Sequence, residues 1–341
     1  MPGSITLLAS SPDPYPAYSD LRRHGPRRGP DGWVVARPAD VVAALAHPAL
    51  STDPGGPPGP RGGARWWRAR MARFSDGAAH ARRRSATERV LAASEVAALG
   101  RRARHLACAT GRAATNAMAL ASTVPATVMA EALGLDPATA VRAAGHARVL
   151  AAALAPRLGP PDPAVAGAGD AAARALAAWF GPGEEAAAAA LAVLFQTQDA
   201  TAGLAGNALV AWARDPAAGP DAEARVAAAL RHDPPTHWTR RTATGAVTLA
   251  GEPVAAGATV WLLLAGGGDA LANFGSGPHA CPAERLAPAL AAGVVAGIAD
   301  RGLVPDLAGP PAYEPRPNLR IPVTVPLRPT PGRARPSLRS P

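Results

Sequence analysis

Apolar residues recur at helical spacing along most of the chain. The longest such pattern runs from Glu184 to about Arg214 and stops before Pro216. A short helix is predicted over Ala222–Arg231, ahead of the Pro234–Pro235 break. Between Gly77 and Gly183 the pattern is also helical, and glycine and proline positions predict its breaks, near Gly100, Gly134–Pro137, Gly159–Pro163 and Gly181–Gly183.

Shorter elements flank this helical region. The N-terminal part predicts a helix over Pro14–His24, a strand over Gly32–Ala36 and a helix over Pro38–Leu45. After the proline pair, alternation predicts strands over Thr242–Leu249 and Thr259–Leu264, on either side of the turn-forming AGEPVAAG. A glycine-rich loop follows, and a further helix is predicted from Pro282 to about Ala299.

These elements predict a mainly α fold with small β-sheets, because many helices accompany one small patch of strands. We expect a single domain over residues 1–326. The last stretch, residues 327–341, is rich in proline and arginine, and its composition predicts a disordered tail.

Composition refines this expectation. Of the residues, 48% are apolar but only 4% are aromatic, so the core is expected to consist of closely packed, small-residue helices. All 35 basic residues are arginines, and the formal net charge is +10. These arginines are spread along the chain without an aromatic-interleaved basic repeat, so we expect no nucleic-acid binding. An acidic protein partner suits a basic face better.

The two cysteines, Cys108 and Cys281, are too far apart to suggest a disulfide framework or a metal finger, so a reduced, cytoplasmic chain is expected. The N-terminus lacks the basic region of a secretion signal. No apolar run reaches the roughly 18 residues that would suggest a membrane span.

The most informative segment is Asn273–Ala287, with the sequence NFGSGPHACPAERLA. A cysteine binds iron as a thiolate, and glycines such as Gly275 and Gly277 let backbone amides approach the sulfur. A following helix would add the positive end of its dipole. The alternative is a buried structural cysteine in a glycine-rich turn, which is the interpretation we give to Cys108 in ARHLACATG.

This segment resembles the cysteine-ligand loop of cytochromes P-450. Phe274, Gly277 and Cys281 match the family pattern in register, and Ala283 stands where glycine is usual. The resemblance extends over roughly residues 12–326. It implies a cytochrome P-450-like fold and haem b (iron protoporphyrin IX) with Cys281 as the iron ligand. It also implies four contacts to the haem propionates, from His80, Arg84, Arg241 and His279.

The long helix departs from the family pattern. The family has an acid–alcohol pair beside the oxygen site, and here Asp199 is the acid but Ala200 replaces the usual threonine. Thr201 follows, about 100° further round the helix. Gln196 and Thr197 replace a small Ala-Gly pair. Because the family's alcohol orders water for proton delivery, that task falls to Thr201, to ordered water or to a substrate hydroxyl.

A second departure concerns the family's Glu-x-x-Arg pair. Arg231 matches the arginine, but Ala228 stands in place of the glutamate. Most of the irregular stretch that this pair anchors is also missing, since only nine residues separate Leu264 from Phe274. We expect Asp233 or Glu284 to satisfy Arg231 instead.

The resemblance implies a haem-thiolate oxidoreductase of the monooxygenase type. It would take electrons from a ferredoxin or a flavoprotein reductase and oxidise a small, mostly apolar organic substrate, in secondary metabolism. The missing threonine keeps a second interpretation open, namely oxidative coupling, cyclisation or substrate-assisted oxidation. The lost glutamate keeps a third open, a non-catalytic haem-binding protein.

Overall fold

A computed structural model of the chain describes residues 5–53, 55–56, 58–110, 115–156, 162–181, 183–216, 221–266 and 271–330. Helices dominate it, and the mainly α fold predicted from the sequence is confirmed. The helices are α1 (Tyr15–Arg22), α2 (Pro38–Ala46), α3 (Ala64–Arg68), α4 (Gly77–Ala92), α5 (Val96–Thr110), α6 (Ala117–Ala132), α7 (Pro137–Leu154), α8 (Pro163–Ala178), α9 (Glu184–Arg214), α10 (Ala222–His232) and α11 (Leu286–Asp300).

The strands form three small sheets. Five of them make a mixed sheet in the order β1-β2-β7-β4-β3, in which only β2 and β7 are parallel. The hairpin β5–β6 and the antiparallel pair β8–β9, whose strands are distant in sequence, form the other two sheets. The strands are β1 (Arg27–Gly29), β2 (Gly32–Val35), β3 (Leu50–Ser51), β4 (Trp238–Ala243), β5 (Val247–Leu249), β6 (Glu252–Val254), β7 (Thr259–Leu263), β8 (Leu303–Pro305) and β9 (Leu327–Pro329).

The five-stranded sheet is buried on both faces. Val260 and Leu262 of β7 pack into one apolar cluster, whereas Trp261 and Leu263 pack into another on the opposite face, as the alternation of side chains along a strand requires. The largest apolar cluster lies among the helices and centres on α9, where 20 residues of the helix are buried.

Helices α5 and α11 pack with almost no side-chain volume between them. A Cβ atom added to Gly293 would lie 2.4 Å from the Gly100 carbonyl oxygen, and one added to Gly297 would lie 2.5 Å from that of Arg104. The small residues expected from the composition therefore bring these two backbones together. This packing also explains why the predicted break near Gly100 is wrong, since Gly100 lies inside α5 against Ala289.

A buried polar cluster joins both ends of the chain to the turn between α10 and β4. Arg320 is 1% exposed, forms an ion pair with Asp233 at 2.7 Å and donates hydrogen bonds to the backbone carbonyls of Ala9, Ser11 and Pro12. The Tyr15 hydroxyl also donates to Asp233, at 2.7 Å. We call this group the Asp233–Arg320 cluster.

Three other sequence predictions differ from the structure. The single strand expected over Thr242–Leu249 is two strands, because β4 pairs with β7 from Trp238 onward and ends at Ala243. The helix after the cysteine begins at Leu286, since Pro282–Arg285 form a turn. Leu327–Pro329, expected in the disordered tail, pair with β8, and residues 331–341 of that tail lie outside the described residues.

Within the described ranges, no helix is both long enough and apolar enough to cross a membrane.

Candidate functional site

A large cavity lies between α9 and the loop that carries Cys281. Including its opening to solvent, this space measures about 1850 Å³. Side chains from α4, α6, α9, α11 and the five-stranded sheet line it together with the loop. The cavity collects most of the residues that the sequence singles out for chemistry: His80, Arg84, Ala200, Thr201, Arg241, Phe274, His279 and Cys281.

The cysteine loop is held in a fixed turn. The Cys281 amide donates to the Phe274 carbonyl at 2.8 Å, and the backbone N–H of Ala283 donates to the Cys281 sulfur. Gly275 and Gly277 both have a φ of +71°, a left-handed conformation that glycine adopts without strain. Gly277 itself is exposed and does not line the cavity. The glycines therefore shape the loop, and the sulfur faces the cavity with an amide donor beside it.

Two competing effects act on the Cys281 thiol. Burial raises its pKa, while the Ala283 amide and the guanidinium groups of Arg73 and Arg84 oppose that rise. These donors and cations are the groups that would stabilise a thiolate bound to a metal. Among the described residues, no cluster of three or more His, Cys, Asp or Glu could hold a bare metal ion. A metal at Cys281 would therefore need further ligands from a cofactor.

Two histidines meet at the rim of the loop. The rings of His80, on α4, and His279 lie 4.1 Å apart between centroids, and His279 Nε2 lies 3.3 Å from a carboxylate oxygen of Asp76. Burial, together with the neighbouring His80 and Arg241, lowers the pKa of His279 to about 4. Burial also lowers the pKa of His80. Both rings are therefore neutral at pH 7 and carry one N–H each, and the N–H of His279 faces the Asp76 carboxylate.

Two arginines add positive charge to the same wall. Arg241, on β4, is 5% exposed, and its Nε atom is buried without a hydrogen-bond partner in the described structure. Burial and the nearby Arg73 lower its pKa to about 10, so it stays charged at pH 7. Arg84 donates to the Ala280 carbonyl and to Glu88, which ties α4 to the cysteine loop.

Helix α9 presents one polar stripe to the cavity. Gln196, Thr197, Ala200 and Thr201 line it, at the spacing that places residues on one helical face. The Gln196 amide donates to the Ala192 carbonyl at 3.0 Å, and the Thr197 hydroxyl donates to that of Val193 at 2.8 Å. Helix α9 therefore places the polar side chains of Gln196 and Thr197 where the family pattern has Ala and Gly.

Asp199 does not share this stripe. It lies outside the cavity lining, and its carboxylate is 3.7 Å from the Arg316 guanidinium. Burial raises the pKa of Asp199, and Arg316 opposes that rise. The structure therefore brings Ala200 and Thr201 to the cavity and leaves Asp199 on an adjacent face.

The expected replacement for the missing glutamate is wrong. Arg231 is exposed and forms no ion pair with any described residue, while Asp233 is bound by Arg320 and Tyr15 instead. The short loop before the cysteine is fastened to α10 by another contact, from the Asn273 amide to the Leu230 carbonyl at 2.6 Å. Residues 267–270 of that loop lie outside the described ranges.

Two cavity residues were missed from the sequence. Arg73 follows α3 in a short 3₁₀ turn, and Arg240 immediately precedes Arg241 on β4. The only sequence signal was the density of arginine in these segments, which does not distinguish a cavity side chain from a solvated one.

The cavity suits a flat, dianionic cofactor held by sulfur. One wall offers the Cys281 sulfur, the rim offers two cations and two neutral imidazoles, and no Asp or Glu of the described ranges lines the space. The unpartnered Nε of Arg241 is a buried donor aimed at a site without a protein acceptor. These residues fit a haem whose two propionates face the rim.

Comparison with protein-family models gives no match to this sequence, and comparison with curated proteins gives none. Solved structures match over nearly the whole chain. CalO2 has a TM-score of 0.79 at 22% identity, covering 94% of this chain and 96% of that chain. P450 RauA, complexed with a biosynthetic intermediate of aurachin RE, has a TM-score of 0.77 at 22% identity, covering 96% and 98%.

P450BioI, in complex with acyl carrier protein ligated with hexadec-9Z-enoic acid, has a TM-score of 0.77 at 18% identity. Its match covers 94% of this chain and 99% of that chain. The chain therefore has the cytochrome P-450 fold, and the fold expected from the cysteine-loop resemblance is confirmed.

Proposed function

We propose that this protein is a haem-thiolate oxidoreductase of the monooxygenase type, which activates dioxygen to oxidise a small organic molecule. One observation carries the proposal. The Cys281 sulfur, with the Ala283 amide beside it, shares a cavity with the cations and imidazoles at the rim of its loop. A surface turn around a structural cysteine would not need that arrangement.

In this proposal, haem b is held by Cys281 through its iron and by His80, Arg84, Arg241 and His279 through its propionates. Phe274 packs beside the macrocycle, and Gly277 shapes the loop. Bound haem supplies the oxygen and electron chemistry, and thiolate ligation favours O–O bond cleavage. The chain supplies the orientation, the dry cavity and the control of protons.

Proton control falls to the polar stripe of α9. With Ala200 in place of an alcohol, the next residue, Thr201, brings a hydroxyl to the cavity lining, and it is only 2% exposed. The Thr197 hydroxyl already donates to a backbone carbonyl, so it remains able to accept a hydrogen bond from water. Asp199 exchanges protons with solvent on the neighbouring face, where its pairing with Arg316 regulates its charge.

Electrons would come from NAD(P)H through a ferredoxin or a flavoprotein reductase. Arg231 and Arg285 are exposed on either side of the cysteine loop and neither has an ion-pair partner in the described part of the chain. An acidic partner protein would be attracted to this face. We also propose a cytoplasmic location, because a reduced thiol is needed at Cys281.

The replaced threonine supports a second reaction type. Ala200 removes the usual proton-relay alcohol, which favours oxidative coupling, cyclisation or oxidation of a substrate that brings its own hydroxyl. RauA is bound to a biosynthetic intermediate, which supports a role for this chain in secondary metabolism. The third interpretation, a non-catalytic haem-binding protein, rests on Arg231. This arginine has no ion pair among the described residues, because Ala228 stands where the family has glutamate.

A reduced-CO difference spectrum of the purified protein tests the cofactor and its ligand. We expect a Soret band at the thiolate position, its loss in Cys281→Ser, and its retention in Cys108→Ser, the matched control on α5. Normal haem spectra in Cys281→Ser would overturn the ligand assignment. A substrate-dependent change in the Soret band and NAD(P)H consumption separate an enzyme from a haem-binding protein, which would show neither.

A further inference from the structure

Two polar side chains stand between apolar ones on the face of α9 that lines the cavity. Gln196 and Thr197 are adjacent in sequence, and both line the space. Val193 lies one turn before Thr197, Leu204 lies two turns after it, and both line the cavity as well. Gln196 and Thr197 are themselves half-buried, so their polar atoms have lost part of their hydration.

The helix itself determines which polar atoms these two side chains leave unused. Thr197 has a single hydroxyl hydrogen, which it donates to the Val193 carbonyl at 2.8 Å, so its oxygen can only accept a further hydrogen bond. Gln196 Nε2 donates to the Ala192 carbonyl at 3.0 Å. Because a carbonyl only accepts, this contact fixes the orientation of the amide and points Oε1 away from the Ala192 carbonyl. Each residue therefore keeps an oxygen acceptor, Thr197 Oγ1 and Gln196 Oε1.

Both acceptors remain available to a ligand. Among the described residues, nothing donates a hydrogen bond to Gln196 Oε1 or to Thr197 Oγ1. Gln196 Oε1 is also accessible, whereas the Oε1 of Gln198, two residues further along α9, is fully enclosed by protein. A donor that enters the cavity can therefore reach Gln196 Oε1 and Thr197 Oγ1 together, since both belong to neighbouring residues of one helix.

The charges around the cavity decide which kind of donor fits. An ammonium group and a hydroxyl group can both donate to an oxygen acceptor. Four arginines line this cavity, and they would repel a cationic ammonium: Arg73, Arg84, Arg240 and Arg241. A hydroxyl is neutral and small, so it can approach the two acceptors without this cost.

We propose, on the basis of the proposed function, that Gln196 and Thr197 bind the hydroxyl group of a neutral alcohol substrate. The hydroxyl donates its hydrogen to one of the two side-chain oxygens, or shares it between them. The apolar body of the molecule packs on Val193, Leu204 and Phe74, which line the same space. A few polar groups in a mostly apolar pocket are the usual means of orienting a ligand. The substrate class is therefore an alcohol with an apolar body.

Isothermal titration calorimetry on the protein as purified tests this inference without turnover. The probes are 3-phenylpropan-1-ol, 4-phenylbutan-1-ol and 5-phenylpentan-1-ol, each compared with its methyl ether. The ether keeps the oxygen acceptor and lacks the donor. We expect the best of the three alcohols to bind about tenfold more tightly than its ether, because the ether leaves the acceptors unpaired.

Four variants assign that preference to the two side chains. Thr197→Val and Gln196→Met keep the approximate shape of each side chain but remove its acceptor, and each should reduce the preference several-fold. Thr197→Ser restores the hydroxyl and should restore the preference. Thr123→Val makes the same exchange on the exposed side of α6 and should leave the preference unchanged.

Equal affinities for all three alcohols and their ethers would overturn the proposal. A preference that persists in both Thr197→Val and Gln196→Met would also overturn it, because the size of the added methyl group would then explain the difference. If these variants keep the preference but release more hydrogen peroxide during turnover, the two side chains order water for proton delivery, and the substrate assignment is wrong. Failure of the calorimetric test leaves the CO spectrum unaffected, so it is distinguishable from failure of the proposed haem ligation.

Discussion

The contact between α5 and α11 predicts a sharp difference between two glycine-to-alanine substitutions. A Cβ at position 297 would meet the Arg104 carbonyl oxygen at 2.5 Å, the Ala107 Cβ at 2.7 Å and the Cys108 amide nitrogen at 3.0 Å. Two of these atoms are backbone, so relief requires the helices to move apart. At Gly145, on the exposed side of α7, nothing lies within 4 Å of an added Cβ.

The expected magnitudes follow from two opposing terms. Alanine is favoured over glycine inside a helix by about 1 kcal/mol, which applies to both positions. At Gly297 the overpacking adds a cost of roughly 1–3 kcal/mol, because both α5 and α11 must shift to relieve it. We therefore expect Gly145→Ala to stabilise the protein by up to about 1 kcal/mol. Gly297→Ala should destabilise it, and the two variants should differ by about 2 kcal/mol.

Urea unfolding followed by circular dichroism measures both free energies of unfolding. Because Leu286 and Leu290 of α11 line the cavity, we also expect haem to leave Gly297→Ala faster than the wild-type protein. If Gly297→Ala proves as stable as Gly145→Ala, the two helices do not pack at the distance described, and the small-residue account of this core is refuted.

Three further substitutions test the buried polar groups and the cavity. Arg320→Met should cost about 3–5 kcal/mol in urea unfolding by leaving Asp233 unpaired, and Asp233→Asn in the same chain should recover part of it. Burial and Arg320 lower the pKa of His237 to about 3, below the unfolded value near 6.5, so its contribution to stability falls as the pH drops from about 6.5 to 3. His237→Gln should flatten that dependence in pH-dependent unfolding, and an equal slope in both proteins would contradict it. Ala200→Thr should lower the hydrogen peroxide released per NAD(P)H consumed by about tenfold with substrates that lack a hydroxyl, and unchanged peroxide release would remove Ala200 from proton delivery.

Local patterns in the sequence were enough to predict the helices with clear ends. Helix α9 begins at Glu184 and ends at Arg214 as expected, because acidic residues mark its first turn and Pro216 follows it. The strand expected over Thr242–Leu249 failed for the opposite reason. Its true limits depend on pairing between β4 and β7, which a single segment does not encode.

In the candidate site, too, the residues of local motifs were predictable and those placed by long-range contacts were not. The cysteine loop and the His80–Arg84 spacing are local motifs, so the sequence could assemble a set of residues that does line one cavity. The partner of Asp233 could not be found this way, because Arg320 lies 87 residues further along the chain. The places of Arg73 and Arg240 in the cavity lining were equally hidden, because they depend on how the segment after α3 and strand β4 pack around the cavity.

The Asp233–Arg320 cluster also constrains the order in which the molecule can be completed during synthesis. Arg320 donates to the Ala9 carbonyl across a separation of 311 residues, so this contact forms only after nearly the whole chain has left the ribosome. Helices α6, α7, α8 and α9 contact one another and can pack earlier, whereas α5 waits for α11. Strand β4, which carries Arg240 and Arg241, starts five residues after Asp233. The cavity wall that β4 forms is therefore fixed late, and we expect the cofactor to bind stably only after the chain has been released.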